Sequence, residues 1–319
     1  RTQANLRSKD FPQKELRLVK RIKELKTVTF DTDAANEQHY EVPTNFFLSH
    51  LGRNLKYSGS EWTNAASLDD AEDNTLCIYQ DHLKLDDLDP GSKVLEVGNG
   101  WGSMCLANAK RFPDLEFDSF SNSETQITHI KNEIKKHNLT NLKVWRQDID
   151  DYVKEATDAS NGKTYSRVVS IECIEHCRAY HLLFEKLSSV LTDDGFCFFQ
   201  ILGHSQYSYL MTNDSWMGRN FFTGGTIPSM HMFHHFNDHL IVSETTVIPG
   251  TEYAKTMDAW LYRMYDQKSK IMEIFREQYG KDASKHYQGR RMFYLMCSES
   301  FGFNGGKDWC VGYFKMTKR

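Results

Sequence analysis

The first apolar pattern in the chain has a helical period. Within residues 13–26, four apolar residues stand three positions apart, and Lys and Arg fill most positions between them: Leu16, Val19, Ile22 and Leu25. This spacing predicts an amphipathic helix that packs on its own domain. Docking of this basic helix on a membrane surface is the alternative, although four apolar side chains bury little area for that purpose.

Beyond residue 85, short apolar segments alternate with segments of helical period. Strands are predicted at 94–97, 115–120, 141–146, 165–171 and 195–202, and helices at 102–111, 123–137 and 180–191. Alternation of this kind predicts an α/β fold whose mainly parallel, doubly wound sheet is covered by helices on both faces.

The alternation stops after Gly203. Residues 204–239 are rich in Met, Phe, His and Gly and follow no period, so we expect an insertion there. The predicted elements after it are a strand at 240–248, long helical stretches at 256–279 and 283–300, and a last strand at 309–315.

The composition excludes several classes of partner. The 319 residues carry 39 Lys and Arg against 43 Asp and Glu, a net charge of −4. Such a balance provides no general field for nucleic acid or an anionic membrane, and we expect neither as a partner. No apolar run approaches the ~20 residues of a membrane span, and the charged start of the chain has no signal-peptide core. Seven cysteines without paired spacing fit a reducing compartment, so we expect a cytoplasmic protein.

The segment V-L-E-V-G-N-G-W-G at 94–102 suggests the first chemistry. A strand ends there, glycines stand at 98, 100 and 102, and a helix begins, so the backbone can turn tightly and approach a ligand. The spacing differs from the G-x-G-x-x-G of dinucleotide sites, and no Gly-Lys-Ser/Thr of a phosphate loop follows. S-adenosylmethionine, which has no phosphate, suits this loop, with Glu96 near its amino-acid end. A glycine-rich turn without a ligand is the alternative.

Contacts to adenosine are expected at the ends of the next two strands, because ligands bind beyond the carboxyl ends of parallel strands. These ends fall at 119–122 and 147–149. Asp148 is placed to accept from the adenine amino group, and Ile149 to pack on the ring. Asp148 also has the position of a helix N-cap, and the two roles are compatible.

Several segments resemble the cyclopropane fatty acid synthase superfamily and keep its order along the chain. They are H-Y-E-V-P-T-N-F-F (39–47), K-Y-S-G-S-E-W (56–62), the glycine loop, F-S-N-S-E-T-Q (120–126) and S-I-E-C-I-E-H (170–176). Two more, F-F-T-G-G-T-I-P-S (221–229) and F-G-F-N-G-G-K-D-W (301–309), are most similar to the branch of coclaurine and related alkaloid N-methyltransferases. The similarity runs from about residue 36 to the end.

The resemblance implies a Rossmann-like class I methyltransferase that uses S-adenosylmethionine and has a mainly parallel, seven-stranded sheet. It implies a helical leader over 1–85 that caps the cofactor, and a methyltransferase domain over 86–319 with a lid at 204–239 and C-terminal helices within 256–300. The cofactor contacts that carry over are Tyr57 and Ser58 at the methionine end, Gly98 and Gly100 in the loop, Ser121, Asn122 and Gln126 at the ribose, and Asp148 and Ile149 at the adenine.

Asn99 departs from the Cys usual in the family, and we expect little effect on binding. Some members are dimers, so a homodimer is an alternative to a monomer.

Two departures bear on the acceptor. Cyclopropane synthases methylate an alkene with the help of a bicarbonate, which the family holds with a Cys, a Glu-His pair, a His and a Tyr. Here Gly59 stands at the Cys position and Gln200 at the His position, whereas Glu175, His176 and Tyr253 are kept. A buried anion needs its hydrogen bonds, so losing two ligands disfavours alkene chemistry. Methylation of lipid acyl chains or of another heteroatom stays an alternative.

The residues that remain suit transfer to an amine nitrogen. Glu172, Glu175 and His176 stand three and four apart, so a helical turn would place them on one face. Two carboxylates would stabilise a cationic amine, and His176 would take its proton. In the alkaloid N-methyltransferases this Glu-x-x-Glu-His cluster is the catalytic one. An acidic helix start that complements the helix dipole is the alternative.

The insertion at 204–239 is strongly aromatic and predicts an apolar acceptor pocket, suited to an aromatic or acyl-bearing amine. We expect the pocket at Gln200, His204, Phe221, Phe222 and Tyr253. The run H-x-x-H-H-x-x-x-H at 231–239 has a spacing found in metal sites, but no further ligand motif joins it. We therefore expect packing in the lid and no metal.

Overall fold

Seven strands form one sheet in the structure, a computed structural model that describes residues 11–29, 42–155 and 164–319. The strands are β1 (Lys93–Val97), β2 (Glu116–Ser121), β3 (Leu142–Arg146), β4 (Tyr165–Ile171), β5 (Leu191–His204), β6 (Leu240–Pro249) and β7 (Trp309–Lys318). Their order is β3-β2-β1-β4-β5-β7-β6, with β1 to β5 parallel and β7 antiparallel to both neighbours. The predicted doubly wound, mainly parallel, seven-stranded sheet is confirmed.

Helices connect the strands. They are α1 (Phe11–Lys23), α2 (Thr44–His50), α3 (Leu68–Leu83), α4 (Ser103–Arg111), α5 (Glu124–His137), α6 (Ile149–Lys154), α7 (Tyr180–Val190), α8 (Trp216–Asn220), α9 (Gly250–Asp266), α10 (Lys268–Tyr279) and α11 (Ala283–Gly302). The helical stretch predicted at 256–279 is divided into two helices, because α9 ends at Asp266 and α10 begins at Lys268. Residues 266–270 are all polar and give the chain no apolar side chain to bury at the break.

Alternate residues of each strand enter different apolar layers, as the period of a strand requires. Val94 of β1 packs with α3, α4 and the C-terminal helices, whereas Leu95 packs with α1 and α7 on the other face. Phe198 and Phe199 of β5 divide in the same way. Both faces of the sheet are therefore covered, which leaves the carboxyl ends of the parallel strands as the place for a ligand.

Helix α1 packs on its own domain. Leu18, Val19 and Ile22 are buried against α7 and the sheet, whereas Leu16 is 57% exposed. The buried face of α1 is therefore rotated by part of a turn from the predicted one, since Leu18 is buried and Leu16 is exposed. Among the helices of the described ranges, none has both the length and the apolar run needed to cross a bilayer.

The segment between β5 and β6 contains short elements. The strands Tyr209–Leu210 and Thr226–Ile227 pair with each other, and α8 lies between them. In the 3-10 helix Met232–His235, Met232 and Phe233 are buried in the apolar layer beside α7. Within the described parts of the chain, no group of three or more His, Cys, Asp or Glu side chains is arranged to hold a metal. Residues 1–10 and 30–41 of the expected leader, including the start of the 39–47 motif, lie outside the described residues.

Candidate active site

A cavity of about 590 Å³ opens at the carboxyl ends of β1 to β4, where the strand order reverses. All ten residues predicted to contact the cofactor line it: Tyr57, Ser58, Glu96, Gly98, Gly100, Ser121, Asn122, Gln126, Asp148 and Ile149. Glu172, Glu175 and His176 line the same cavity. The sheet therefore brings together segments that are up to 119 positions apart, counted from Tyr57 to His176.

The glycine loop leaves the cavity open at one point. Gly98, Gly100 and Gly102 all have positive φ, at +82°, +49° and +85°. A Cβ at Gly98 would overlap the Cys173 sulfur, and one at Gly102 would lie 2.8 Å from Ile130 Cγ1. A Cβ at Gly100 would meet nothing within 4 Å. The outer two glycines thus allow close packing, and the middle one leaves room for a ligand beside the backbone.

Two buried polar side chains, Glu96 and Asn99, lie at this loop. Burial raises the pKa of Glu96 to about 7, and its Oε2 accepts from Ser119 Oγ at 3.3 Å. Asn99 is buried, and neither end of its side-chain amide has a hydrogen-bond partner in the described structure. A carboxyl and a free amide beside an open backbone fit a ligand that ends in an amino acid, so the site fits S-adenosylmethionine.

The ends of β2 and β3 provide a second polar group of residues. Ser121 Oγ donates to Gln126 Oε1 at 3.1 Å, which joins the end of β2 to the first turn of α5. Asp148 is the N-cap of α6 and accepts from the backbone N–H of Asp150 at 2.8 Å. The capping role expected for Asp148 is therefore present, and its position in the cavity wall leaves the adenine role open to it.

The Glu172 carboxylate is held by three donors. Its Oε1 accepts from the Gly59 N–H at 3.0 Å and from Gln200 Nε2 at 2.6 Å, and its Oε2 accepts from the Tyr253 hydroxyl at 2.6 Å. Glu172 has a φ of +48°, which is uncommon for a residue with a side chain. Its backbone N–H donates to Gln200 O at 2.9 Å, which continues the β4–β5 pairing by one residue. The carboxylate is thus fixed in place at the end of β4.

These three donors stand at positions that the family resemblance places around a bicarbonate. Gly59, Gln200 and Tyr253 all donate to Glu172, so a carboxylate of the chain itself occupies the centre of that group. A Cβ at Gly59 would lie 2.6 Å from Tyr253 Cδ2, so a Cys does not fit there unless Tyr253 moves. The arrangement leaves no hydrogen bonds of these groups for an added anion.

Glu175 and His176 differ from the expectation in conformation, and burial shifts the pKa of both. The turn at Ile174–His176 is a 3-10 helix, and Glu172 precedes it in a left-handed conformation, so the predicted helical turn is wrong. Burial, followed by the nearby charge of Glu172, raises the pKa of Glu175 well above its usual range. Burial lowers the pKa of His176 to about 4, so the imidazole is neutral at pH 7. Since burial disfavours the charged form of Glu175, Glu172 is the better placed of the two side chains to carry a negative charge.

Only one of the two carboxyl oxygens of Glu175 accepts a hydrogen bond in the described structure. Its Oε1 accepts from the Leu202 N–H at 2.6 Å, and its Oε2 has no hydrogen-bond partner in the described structure. The imidazole of His176 packs against the ring of Phe222 with 5.0 Å between centroids. Phe222 belongs to the segment between the two short strands, so this contact joins the turn of Glu175 and His176 to the expected lid.

Three residues expected in the acceptor pocket lie behind its wall. Gln200 is buried between Glu172 and Tyr79, whose hydroxyl donates to Gln200 Oε1, and it supports Glu172. His204 is packed between Tyr207 and Trp309, and its Nδ1 accepts from the backbone N–H of Gln206 at 3.1 Å. Phe221 stacks on Phe293 with 4.5 Å between centroids.

These three residues do not line the cavity, and their side chains are engaged by the neighbours just named. Phe222 and Tyr253, by contrast, do line it. The wall of the cavity also contains apolar and aromatic residues that the sequence did not assign to the site: Leu210, Met217, Phe293, Met296 and Trp309. The helical spacing of Phe293 and Met296 is that of ordinary core residues and gives no sign of a site. Trp309, by contrast, belongs to the family-like segment 301–309. Trp309 Nε1 donates to the Tyr209 hydroxyl at 2.8 Å, which connects β7 to the lid.

The fold and the site define a class I methyltransferase, and comparison with known proteins agrees. The family described as mycolic acid cyclopropane synthetase matches residues 29–301, and the chain belongs to this family of S-adenosylmethionine-dependent methyltransferases. The chain is 28% identical to (S)-coclaurine N-methyltransferase of Papaver somniferum over 312 residues, which cover 95% of this chain and 86% of that one.

Solved structures show the same relationship. The structure of coclaurine N-methyltransferase bound to N-methylheliamine and S-adenosylhomocysteine matches with a TM-score of 0.87 and 26% identity, over 95% of this chain and 87% of that one. The mycolic acid cyclopropane synthase CmaA1, bound to S-adenosylhomocysteine, matches with a TM-score of 0.75 and 18% identity, over 92% of this chain and 99% of that one. At that identity the second match shows the fold alone.

Proposed function

We propose that the protein transfers a methyl group from S-adenosylmethionine to the nitrogen of an amine with an apolar, aromatic body. The observation that carries this proposal is the Glu172 carboxylate, which takes all three donors around it and leaves one negative charge at the cavity. A fixed negative charge beside an apolar wall favours an acceptor that is cationic at one end and apolar over the rest. The relatives named for N-methylation support the same acceptor class.

Residues of the cavity hold the cofactor. The open backbone at Gly100, with Glu96 and Asn99, receives the amino-acid end, and Ser121 and Gln126 receive the ribose. Asp148 and Ile149 receive the adenine at the start of α6. When bound, S-adenosylmethionine supplies a methyl group on a positively charged sulfur, a strong leaving group. The protein's main task is therefore to align the acceptor nitrogen and to exclude water.

The acceptor must lose a proton before it can react, because an amine with a pKa of ~10 is mostly protonated at neutral pH and has no lone pair. Glu172 attracts and orients the ammonium group. His176, which is neutral because burial lowers its pKa to about 4, has a ring nitrogen able to accept the proton. The freed lone pair then forms the N–C bond as the S–C bond breaks, and the methylated nitrogen carries the positive charge.

An acceptor screen tests the proposal. Incubation of the purified protein with S-adenosylmethionine labelled in the methyl group should label aromatic amines from a broad panel, and should leave matched phenols, carboxylates and unsaturated phospholipid unlabelled. Label in the phospholipid, with mass spectrometry showing a cyclopropane ring, would contradict the proposed acceptor class. Label in phenols alone would replace nitrogen with oxygen as the acceptor atom.

Cofactor affinity should depend on pH through Glu96. Because burial raises the pKa of Glu96 to about 7, the side chain is mostly protonated below that pH, and a ligand that binds the carboxylate must first displace the proton. Affinity for S-adenosylhomocysteine should therefore rise by roughly tenfold per pH unit between pH 5 and pH 7, and then level off. Calorimetry across this range measures the profile.

The matched variant for this prediction is E96Q. It keeps the size of the side chain but has no proton to lose, so its affinity should be weaker at pH 8 and nearly constant from pH 5 to pH 8. An E96Q profile as steep as that of the wild type would assign the pH dependence to another group.

A further inference from the structure

We propose that Lys56 is a positioning residue that fixes the place and the charge of the Glu172 carboxylate through the peptide group between Ser58 and Gly59. Lys56 is 1% exposed and does not line the cavity, so it does not touch the acceptor. The inference rests on the proposed role of Glu172 in binding a cationic acceptor.

The contacts of Lys56 are with neutral groups. Its ammonium donates to Ser58 Oγ at 2.8 Å, to Ser58 O at 3.3 Å and to Gly59 O. No salt bridge to Lys56 is present in the described structure. Burial lowers the pKa of Lys56 to about 8, and the nearby charges of Glu172, then Glu72 and Glu61, oppose that shift. A buried ammonium without a carboxylate in direct contact is costly, so its presence calls for a function.

One peptide group connects this cation to Glu172. The carbonyl of Ser58 accepts from Lys56, and the N–H of the same peptide group, on Gly59, donates to Glu172 Oε1 at 3.0 Å. The positive charge is at the oxygen end of the amide dipole and the negative charge at the hydrogen end. Both charges therefore polarise the amide in the same direction, and a chain of hydrogen bonds of this kind strengthens each member.

A second route runs through an aromatic ring. The Lys56 ammonium lies 5.2 Å from the centroid of the Tyr79 ring. The Tyr79 hydroxyl donates to Gln200 Oε1, and Gln200 Nε2 donates to Glu172 Oε1 at 2.6 Å. Lys56 thus stands behind two of the three donors that hold Glu172.

Lys56 interacts with the charge of Glu172, which opposes the effect of burial on the pKa of Lys56. Glu172 also interacts with Glu175 in the same turn, Tyr57 in the loop, Tyr79 in α3, Tyr253 in α9, Cys297 in α11 and Tyr313 in β7. The negative charge of Glu172 contributes to the raised pKa of each of these six groups. Removing Lys56 therefore takes a positive charge away from the surroundings of Glu172.

The first test is a double-mutant cycle in the ligand-free protein, with K56M and E172Q combined and unfolding by urea as the readout. K56M should reduce the folding equilibrium constant at least tenfold more in the wild type than in the E172Q background, because only the wild type has a charge to compensate. This arm needs no acceptor, so it is decided even where the proposed function fails.

The matched control cycle combines K186M with E172Q. Lys186 is also buried, donates to a backbone carbonyl, Glu155 O, at 2.7 Å, and lies 5.0 Å from the ring centroid of Tyr152, but it packs on the other face of the sheet. This cycle should be additive. Coupling in the Lys56 cycle no larger than in the Lys186 cycle would overturn the proposal.

The second test is the split between KM and kcat with an amine found in the acceptor screen. Without the ammonium, the Glu172 carboxylate is held less firmly, so K56M should raise KM for a cationic amine as well as lower kcat. K56R keeps the charge and should leave KM near its wild-type value. A K56M enzyme with reduced kcat but an unchanged KM would limit Lys56 to support of the loop and overturn its effect on Glu172.

Discussion

G100V should lower the affinity for S-adenosylhomocysteine by ~100-fold or more, while leaving the chain folded. A Cβ at Gly100 meets no protein atom within 4 Å, so the added side chain has room in the free protein. That room is the part of the cavity next to the loop backbone, and a valine there excludes part of the ligand. A loss of ~100-fold corresponds to about 3 kcal/mol, the upper range for forcing extra atoms into a packed site.

G91V is the matched control for this variant. Gly91 also has a positive φ, +82°, and a Cβ there also meets nothing within 4 Å, but it is exposed in the turn before β1. Both variants incur the backbone strain of a β-branched residue at positive φ, so thermal unfolding should shift to a similar extent in the two. Calorimetry should show the loss of affinity in G100V alone. Equal affinities in the two variants would remove Gly100 from the cofactor site.

The cofactor half of the site could be predicted from the sequence because its residues follow strand ends. A strand, three alternate glycines and a helix at 94–111 specify a turn that exposes backbone, and β2 and β3 run parallel beside β1. Each strand end therefore falls at the same edge of the sheet, where the cavity opens. Local period and strand order predict this edge, whereas Tyr57, Ser58 and Gln126 were assigned to the cofactor by the family resemblance.

The acceptor half could not be predicted to the same extent, because it depends on contacts between distant segments. The positive φ of Glu172 replaces the expected helical turn, and nothing in the spacing of Glu172, Glu175 and His176 signals it. The raised pKa of Glu175 follows from its burial, which no local pattern specifies.

The directions of the Gln200 and Phe221 side chains could not be predicted from the sequence either. Both are in segments identified correctly, but Gln200 points at Glu172 and Phe221 at Phe293, behind the cavity wall. The residue type and the element could be read from the sequence, whereas the direction of the side chain required the packed neighbours. Lys56 is a further case, since a lysine in a polar loop is ordinarily exposed.

We expect Glu172 to carry the charge that the sequence assigned to Glu172 and Glu175 together, and His176 to take the proton. Three donors surround the Glu172 carboxylate, whereas burial raises the pKa of Glu175 well above its usual range. E172Q should therefore raise KM for a cationic amine as well as lower kcat, because the bound charge and the orientation are both affected. E172Q should change the affinity for S-adenosylhomocysteine little, because the groups that hydrogen-bond to Glu172 do not belong to the glycine loop.

H176A should lower kcat by roughly 10²–10⁴-fold at pH 7, the range for removal of a general base, with cofactor affinity nearly unchanged. Since burial lowers the pKa of His176 to about 4, the wild-type kcat should show no fall near pH 6.5, where an exposed imidazole would gain its proton. The deficit of H176A should shrink as the pH rises, because more of the amine then arrives without its proton.

A pH–rate profile of both enzymes, with one amine and saturating S-adenosylmethionine, measures this difference directly. H176F is the control for packing, because it keeps an aromatic ring against Phe222, which lies 5.0 Å from the imidazole, and has no atom to accept a proton. H176F should share the pH-dependent deficit of H176A. A deficit that stays constant up to the pKa of the free amine, or a near-normal H176F enzyme, would show that His176 orients the acceptor and that the proton leaves by another route.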